Sequence, residues 1–283
     1  MNELYLERVV REALAEDIGS ADVTTSVLIS AACRSAAHVI AHQKLVVAGT
    51  DAAELAFKLL DPSVQFDLEV PDGASVEPDE QIAVISGETA PILSAERVAL
   101  NFLQRMSGIA TLTRRYVQQC EGLNVRIADT RKTTPGLRIL EKQAVRAGGG
   151  VNHRMGLYDG ILIKENHLRT LGAGAIEQAI EQARRGAHHL MNVELEVSSA
   201  DAAEAAVRAG ADAILLDNMA VAEMTEAVKR VRSVSEHFII EASGSVSLDN
   251  VRKVAQTGVD IISVGSLTHS APAVDISLEI VQS

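Results

Sequence analysis

The sequence predicts an α/β protein in two parts, a small α+β domain followed by a parallel sheet covered by helices. Three observations carry this prediction. From Val125 onward, apolar strand-like runs alternate with helical stretches rich in Ala, Glu and Arg. From the second run on, they start 32, 21, 25 and 23 residues apart, the length of one strand-plus-helix unit. The runs are nearly continuous in apolar residues, as strands buried on both faces are. The first hundred residues have a different grammar, with short extended runs punctuated by turn residues. Six units fall short of an eightfold barrel, so an irregular barrel and an open sheet both fit.

Leu4 to Asp17 places Leu6, Val9, Val10, Ala13 and Leu14 at helical spacing. Extended runs follow at Ala36–Ile40, Leu45–Val47, Val64–Val70 and Ile82–Ile85, separated by Gly49, Asp61-Pro62, Pro71-Asp72-Gly73, Pro78-Asp79 and Ser86-Gly87. A long helix is predicted from Ser94 to Cys120, with Ser94 as its N-cap and Gly108 as a bend. Strand runs then occur at Val125–Ala128, Gly160–Ile163, Asn192–Val197, Ala213–Leu216, Phe238–Glu241 and Ile261–Val264. The helices between them are Leu137–Ala147, Gly174–Arg185, Ser199–Ala209, Ala220–Val231 and Leu248–Gln256.

Composition narrows the function. Aromatic residues make up 2% and Trp is absent, so the core is built from Ala, Val, Ile and Leu. No apolar run reaches the ~20 residues of a membrane span. The charged N-terminus lacks a secretory h-region, and Cys33 and Cys120 have no metal-type spacing and read as reduced thiols. The chain therefore reads as cytosolic. A net charge of −12 argues against nucleic acid or anionic membrane as a partner. Within that acidic chain, the segment 131–164 carries seven Lys/Arg against two acids, Glu141 and Asp159. A solvated helix face accounts for Glu141, Lys142 and Arg146. Arg131, Lys132 and Lys164 adjoin strand runs and point instead to a small polyanionic ligand.

Each of the six runs exits into reactive or ligand-binding residue types. These are Asp129-Thr130-Arg131-Lys132, Lys164-Glu165-Asn166-His167, Glu196, Asp217-Asn218, Ser243-Gly244-Ser245 and Gly265-Ser266. In β/α barrels the C-terminal strand ends form the active-site mouth. Arg131, Lys132, Arg154 and Lys164 offer more positive charge than one carboxylate needs, which fits a dicarboxylate together with a phosphorylated partner. His153 either bonds a carboxylate or positions Arg154. Glu196 and Asp217 suit ribose hydroxyls, lysines or Mg²⁺, and Glu194, on the same strand face as Glu196, can share its role. Ser243-Gly244-Ser245, leading into a helix at Leu248, and Gly265-Ser266 form a candidate phosphate cup.

Three segments, Asp129-Thr130-Arg131-Lys132-Thr133-Thr134-Pro135-Gly136, Gly148-Gly149-Gly150-Val151-Asn152-His153-Arg154 and Lys164-Glu165-Asn166-His167, closely resemble signatures of the quinolinate phosphoribosyltransferase family. The likeness extends to Glu16-Asp17-Ile18-Gly19, Glu96-Arg97, Asn101-Phe102, Ser107-Gly108, Leu216-Asp217-Asn218 and Ser263-Val264-Gly265. It implies an N-terminal α/β sandwich domain over 1–112, rejoined by the tail 268–283, and an irregular, incomplete α/β barrel of about seven strands over 113–267. It also implies a homodimer in which Arg97 reaches the neighbouring subunit's site. The implied reaction, a step of NAD biosynthesis, converts quinolinate and phosphoribosyl pyrophosphate to nicotinate mononucleotide, pyrophosphate and CO₂ with Mg²⁺.

Carried over by motif, Arg131, Lys132, Arg154 and Lys164 clamp the quinolinate carboxylates with His153, and Thr130 and Arg138 lie in or near that pocket. Glu196 and Asp217 face ribose and metal, directly or through Mg-pyrophosphate. Ser243, Gly244, Ser245, Val264, Gly265 and Ser266 hold the phosphate end. Lys132, Lys164, Glu196 and Asp217 are the expected catalytic set. Ala21 and Ser245 depart from the residues common in the family, and neither removes a required charge. Two alternatives are a related pyrophosphorylase-like protein of molybdate transport loci and a Schiff-base aldolase using Lys164.

Overall fold

The computed structural model describes residues 3–172 and 175–281. The chain forms two compact units, one made of 1–114, 133–149 and 267–283, the other of 115–132 and 150–266. Residues 133–149 group with the first unit although they lie between strand-exit segments of the second.

The first unit opens with helix α1 (Glu3–Ile18), which buries Leu6, Val9, Val10 and Leu14 at the predicted spacing. A short helix α2 (Val23–Leu28) follows, capped by Asp22, whose carboxylate accepts from Thr25 N. Strands β1 (Arg34–Ala41) and β2 (Leu45–Val46) lead into α3 (Thr50–Leu60), a helix the extended-run reading missed. It then continues through β3 (Gln65–Leu68), β4 (Ser75–Val76), β5 (Gln81–Glu88) and α4 (Thr89–Gln119).

Helix α4 starts before the predicted Ser94 cap. Pro91 is compatible with its first turn, where its missing N–H has no intrahelical partner, and Ser94 lies inside the helix, donating to Asp22 Oδ2 at 2.8 Å. Gly108 serves close approach: a Cβ there would overlap the Pro272 carbonyl. Strand β12 (Ile276–Val281), in the tail, pairs antiparallel with β1, giving a four-stranded sheet in the order β12-β1-β5-β3. Ala37, Val39 and Ala41 of β1 turn to one buried face, as a two-residue period requires.

Helix α5 (Arg138–Ala147) also belongs to the first unit. The solvated-face reading holds only for Arg146, because Glu141 and Lys142 are buried. Glu141 accepts from Arg105 (2.8 Å), Thr134 N (3.0 Å) and Thr134 Oγ1 (2.7 Å), so its charge is buried but paired.

The second unit is a six-stranded, all-parallel sheet in the order β6-β11-β10-β9-β8-β7. Its strands are β6 (Arg126–Ala128), β7 (Ile161–Ile163), β8 (Val193–Val197), β9 (Ala213–Asp217), β10 (Ile239–Ser243) and β11 (Ile261–Ser263). Val151 bridges Ala128 in parallel and stands as a one-residue seventh strand beside β6. The connecting helices are α6 (Glu165–Leu171), α7 (Ala175–Gly186), α8 (Ala200–Arg208), α9 (Val221–Val234) and α10 (Val251–Ala255), and α11 (Ser266–His269) leads from β11 into the first unit. The predicted α7 start, Gly174, lies outside the described residues, and α6 was not predicted.

Strand parity sorts the chemistry. In β8, Val193, Leu195 and Val197 are buried, while Glu194 and Glu196 alternate with them on the opposite face. In β10, Ile240 and Ala242 alternate with Glu241 and Ser243 in the same way.

Candidate active site

The strand exits of the second unit converge on a cavity of about 180 Å³. Thr130, Arg131, Lys132, His153, Arg154, Lys164, Glu196, Asp217 and Ser243 line it together, joined by Leu162, Leu215, Glu241 and Ser263. Gly244 and Ser245 lie on the loop after Ser243. Val264 continues β11, its N–H donating to Ala128 O at 2.9 Å, and Ser266 Oγ sits 3.4 Å from Tyr116 Oη. Helix α10 begins at Val251, not Leu248, and has five residues, while α11 has four. Any phosphate cup here is therefore built by the loops and not by helix dipoles, which need aligned turns. Arg97 and Arg138 belong to the first unit. Arg97 is exposed on α4 beside Glu96, and Arg138 Nε donates to Thr133 Oγ1 at 2.9 Å.

Asp129, fully buried, organises the cationic side. It accepts from Asn152 Nδ2 at 2.6 Å and from His153 N at 2.9 Å. Arg154 Nη1 then donates to Gly160 O at 2.7 Å, tying the Val151 segment to the start of β7. Asp159 fastens the intervening loop by accepting from Met155 N and Gly156 N. Arg154 Nε is buried with no hydrogen-bond partner. Burial, then the charge of Arg131, push the Arg154 guanidinium below its ordinary pKa. An anion entering the cavity relieves both penalties.

Lys164 Nζ donates to Glu196 Oε2 at 3.0 Å. This half-exposed, ion-paired ammonium is the opposite of the desolvated amine a Schiff-base lysine needs, which removes the aldolase reading. Asp217 is disposed differently. Its Oδ2 accepts from Asn218 Nδ2 at 3.0 Å, and no described residue donates to Oδ1. An open carboxylate oxygen beside a cationic cavity is the donor type Mg²⁺ takes, usually one or two carboxylates with substrate phosphates completing the shell.

Sequence reasoning did not select Glu241. It lies in β10 with Oε1 buried and unbonded, and His153 Nε2 is 3.6 Å from it and 3.7 Å from Glu194 Oε2. Burial raises both carboxyls well above the ordinary range. The Glu194 charge raises Glu241 further, whereas Arg154 pulls Glu194 back. The three side chains offer ligand-type atoms within 4.8 Å of one another. His153 Nδ1, however, accepts from Arg154 N at 2.7 Å, so the neutral ring carries its proton on Nε2 and presents it to the acids. The cluster is an electrostatic floor of one imidazole and two buried carboxyls, and with Nε2 protonated it is not a metal ligand set. Its sequence signal was an acid placed with cavity-facing parity inside an apolar strand run.

Models of the quinolinate phosphoribosyl transferase N-terminal and C-terminal domains match residues 22–107 and 109–279. The chain is 42% identical over 282 residues to a probable nicotinate-nucleotide pyrophosphorylase (carboxylating) of Bacillus subtilis, covering 99% of this chain and 95% of that protein. It is 40% identical to quinolinate phosphoribosyltransferase (decarboxylating) 1 of Nicotiana glauca, covering 97% and 82% respectively. The solved nicotinate-nucleotide pyrophosphorylase of Francisella tularensis superposes with a TM-score of 0.91 at 35% identity, covering 99% of this chain and 98% of that one. The enzyme from Ehrlichia chaffeensis superposes at 0.90 and 36%, covering 97% and 98%. With both domain models matched in order and relatives aligned from end to end, the chain belongs to the quinolinate phosphoribosyltransferase family.

Proposed function

We propose that this protein is a pentosyltransferase that transfers the phosphoribosyl group of phosphoribosyl pyrophosphate to quinolinate with decarboxylation. The products are nicotinate mononucleotide, pyrophosphate and CO₂, a step of NAD biosynthesis. The observation that carries this reading is one cavity lined by Arg131, Lys132, Arg154 and Lys164 at one side and by Glu196 and Asp217 at strand ends. Full-length similarity to proteins named for this reaction supports it.

In this reading, the guanidinium forks of Arg131 and Arg154, with Lys132, hold the two pyridine carboxylates and turn the ring nitrogen toward the anomeric carbon. As pyrophosphate departs, Glu196 and Asp217 stabilise the developing positive charge of the sugar. The carbon–nitrogen bond forms and the ring nitrogen becomes cationic. The bond from the ring to its 2-carboxylate then breaks, the electron pair stays on the ring carbon beside that cation, and a solvent-derived proton replaces the carboxylate. Lys164, neutralised by Glu196 in the free protein, is available to an incoming anion at the cost of that ion pair.

Asp217 and Glu196 would hold Mg²⁺, directly or through pyrophosphate, and the ion would supply neutralising charge to that leaving group. The active form in this reading is a homodimer in which Arg97 adds a cation to the partner subunit's cavity. Mixing quinolinate, phosphoribosyl pyrophosphate and Mg²⁺ with the protein tests the proposal. Stoichiometric CO₂ and pyrophosphate are expected, and folded protein that releases neither refutes it. Loss of activity on dilution, or complementation between Arg97→Ala and Lys132→Ala subunits, tests the dimer.

A further inference from the structure

Two loops at the acidic end of the cavity share an arrangement that the reaction scheme leaves unused. After β9 the chain turns through Asn218 with φ 52°, and after β10 it turns through Gly244 with φ 90° and Ser245 with φ 48°. Left-handed backbone is costly for most side chains. Glycine adopts it freely and asparagine is the side chain best suited to it. Three such residues on neighbouring strand exits indicate that the loops are built around one another.

The Asn218 amide is what joins them. Its Nδ2 donates to Asp217 Oδ2 at 3.0 Å, and its Oδ1 accepts from Ser245 Oγ at 3.3 Å. Its backbone N–H donates to Ser243 O at 3.0 Å, extending the β9–β10 ladder to the cavity rim. The amide also lies flat against Gly244, where a Cβ would overlap Oδ1 and Cγ and come within 2.8 Å of Nδ2. Asn250 holds the far side of the loop, donating to Ser245 O at 3.1 Å and accepting from Ser247 N at 2.8 Å.

We propose that Asn218 is a positioning residue that locks the Asp217 carboxylate to the Ser243-Gly244-Ser245 loop. By occupying Oδ2 it fixes the Asp217 rotamer and leaves Oδ1 open to the cavity. By bonding Ser245 it sets the phosphate-side loop at a constant distance from that oxygen. The acid and the loop thus reach the pyrophosphate end of the substrate as one preorganised unit. Aspartate at 218 would keep the acceptor and the backbone preference, but it would replace the donor with a second carboxylate facing Asp217. This inference rests on the reading that Asp217 serves the phosphoribosyl pyrophosphate end.

The test uses Asn218→Gly, which removes the amide without straining the left-handed backbone, together with Asn218→Asp and Asp217→Asn. Steady-state kinetics are read separately for the two substrates, and quinolinate binding is read without phosphoribosyl pyrophosphate. Asn218→Gly is expected to raise KM for phosphoribosyl pyrophosphate roughly tenfold, the loss of about one hydrogen bond to a charged group. Quinolinate binding is expected to stay within about twofold and the melting temperature near that of the parent. Asn218→Asp should be worse than Asn218→Gly and should demand more Mg²⁺. An unchanged KM in Asn218→Gly, alongside a raised KM in Asp217→Asn, overturns the positioning role and leaves the site reading intact. Equal weakening of both substrates with a large loss of stability also overturns it, because the role would then be structural. An unchanged KM in Asp217→Asn removes the site reading, and this inference with it.

Discussion

Replacing Arg154 by lysine keeps a cation in the cavity and removes its planar fork. In the free protein the guanidinium makes one hydrogen bond, from Nη1 to Gly160 O at 2.7 Å, while Nε is buried without a partner. Losing the Gly160 bond costs about 1–2 kcal/mol of stability, a fall in melting temperature of a few degrees for a chain of this size. Binding loses more, because Arg154 lines the cavity and its planar fork matches a carboxylate in a way a lysine ammonium cannot. A fork-to-point-charge change forfeits one charge-assisted hydrogen bond, about 2–3 kcal/mol, or a roughly 30- to 150-fold rise in quinolinate Kd. Calorimetric titration of quinolinate, paired with thermal unfolding of the same samples, reads both quantities. A Kd within about threefold of the parent, or a stability loss matching the binding loss, refutes the assignment of Arg154 to the clamp.

Three further perturbations probe other parts of the account. Glu241→Gln tests the buried floor. The folded-state pKa of Glu241 is raised above its unfolded value, so its favourable contribution is complete at acid pH and is lost as pH rises through the folded pKa. The variant should therefore gain stability relative to the parent between about pH 5 and about pH 9, and a gap that shrinks or reverses contradicts the burial argument. Glu141→Ala strips a buried carboxylate from Arg105 and Thr134 and should cost about 3–5 kcal/mol in chemical denaturation, whereas a cost below about 1 kcal/mol contradicts the pairing seen at α5. Borohydride added during turnover should leave Lys164 unmodified by mass spectrometry, and a reduced substrate adduct there would restore the Schiff-base reading.

Much of the site was legible because parallel strands buried on both faces leave few places for polar residues. Lys164, Glu196, Asp217 and Ser243 stand where apolar runs end, and the fold gathers them for that reason. Glu241 escaped because it sits one layer deeper, where only strand parity marks it as facing the cavity. Glu141 and Lys142 were misread because charge on a predicted helix normally means solvent. Glu141 is buried against Arg105 and Thr134, partners that no local pattern connects to it. Ser94 reads as a cap by residue type, but the helix starts at Thr89 and the Ser94 hydroxyl bonds Asp22 instead. The hydrogen bonds of Asn218 and the overlap with Gly244 arise from two loops 27 residues apart in sequence and were out of reach.

The central claim is a phosphoribosyl transfer coupled to loss of one particular carboxylate. Quinolinate carrying an isotopic label in its 2-carboxylate measures this directly when turned over with phosphoribosyl pyrophosphate and Mg²⁺. The account predicts that all the label leaves as CO₂, one for each pyrophosphate released, while the nucleotide product keeps the other carboxylate. Label retained in the nucleotide, or pyrophosphate released without CO₂, would contradict it.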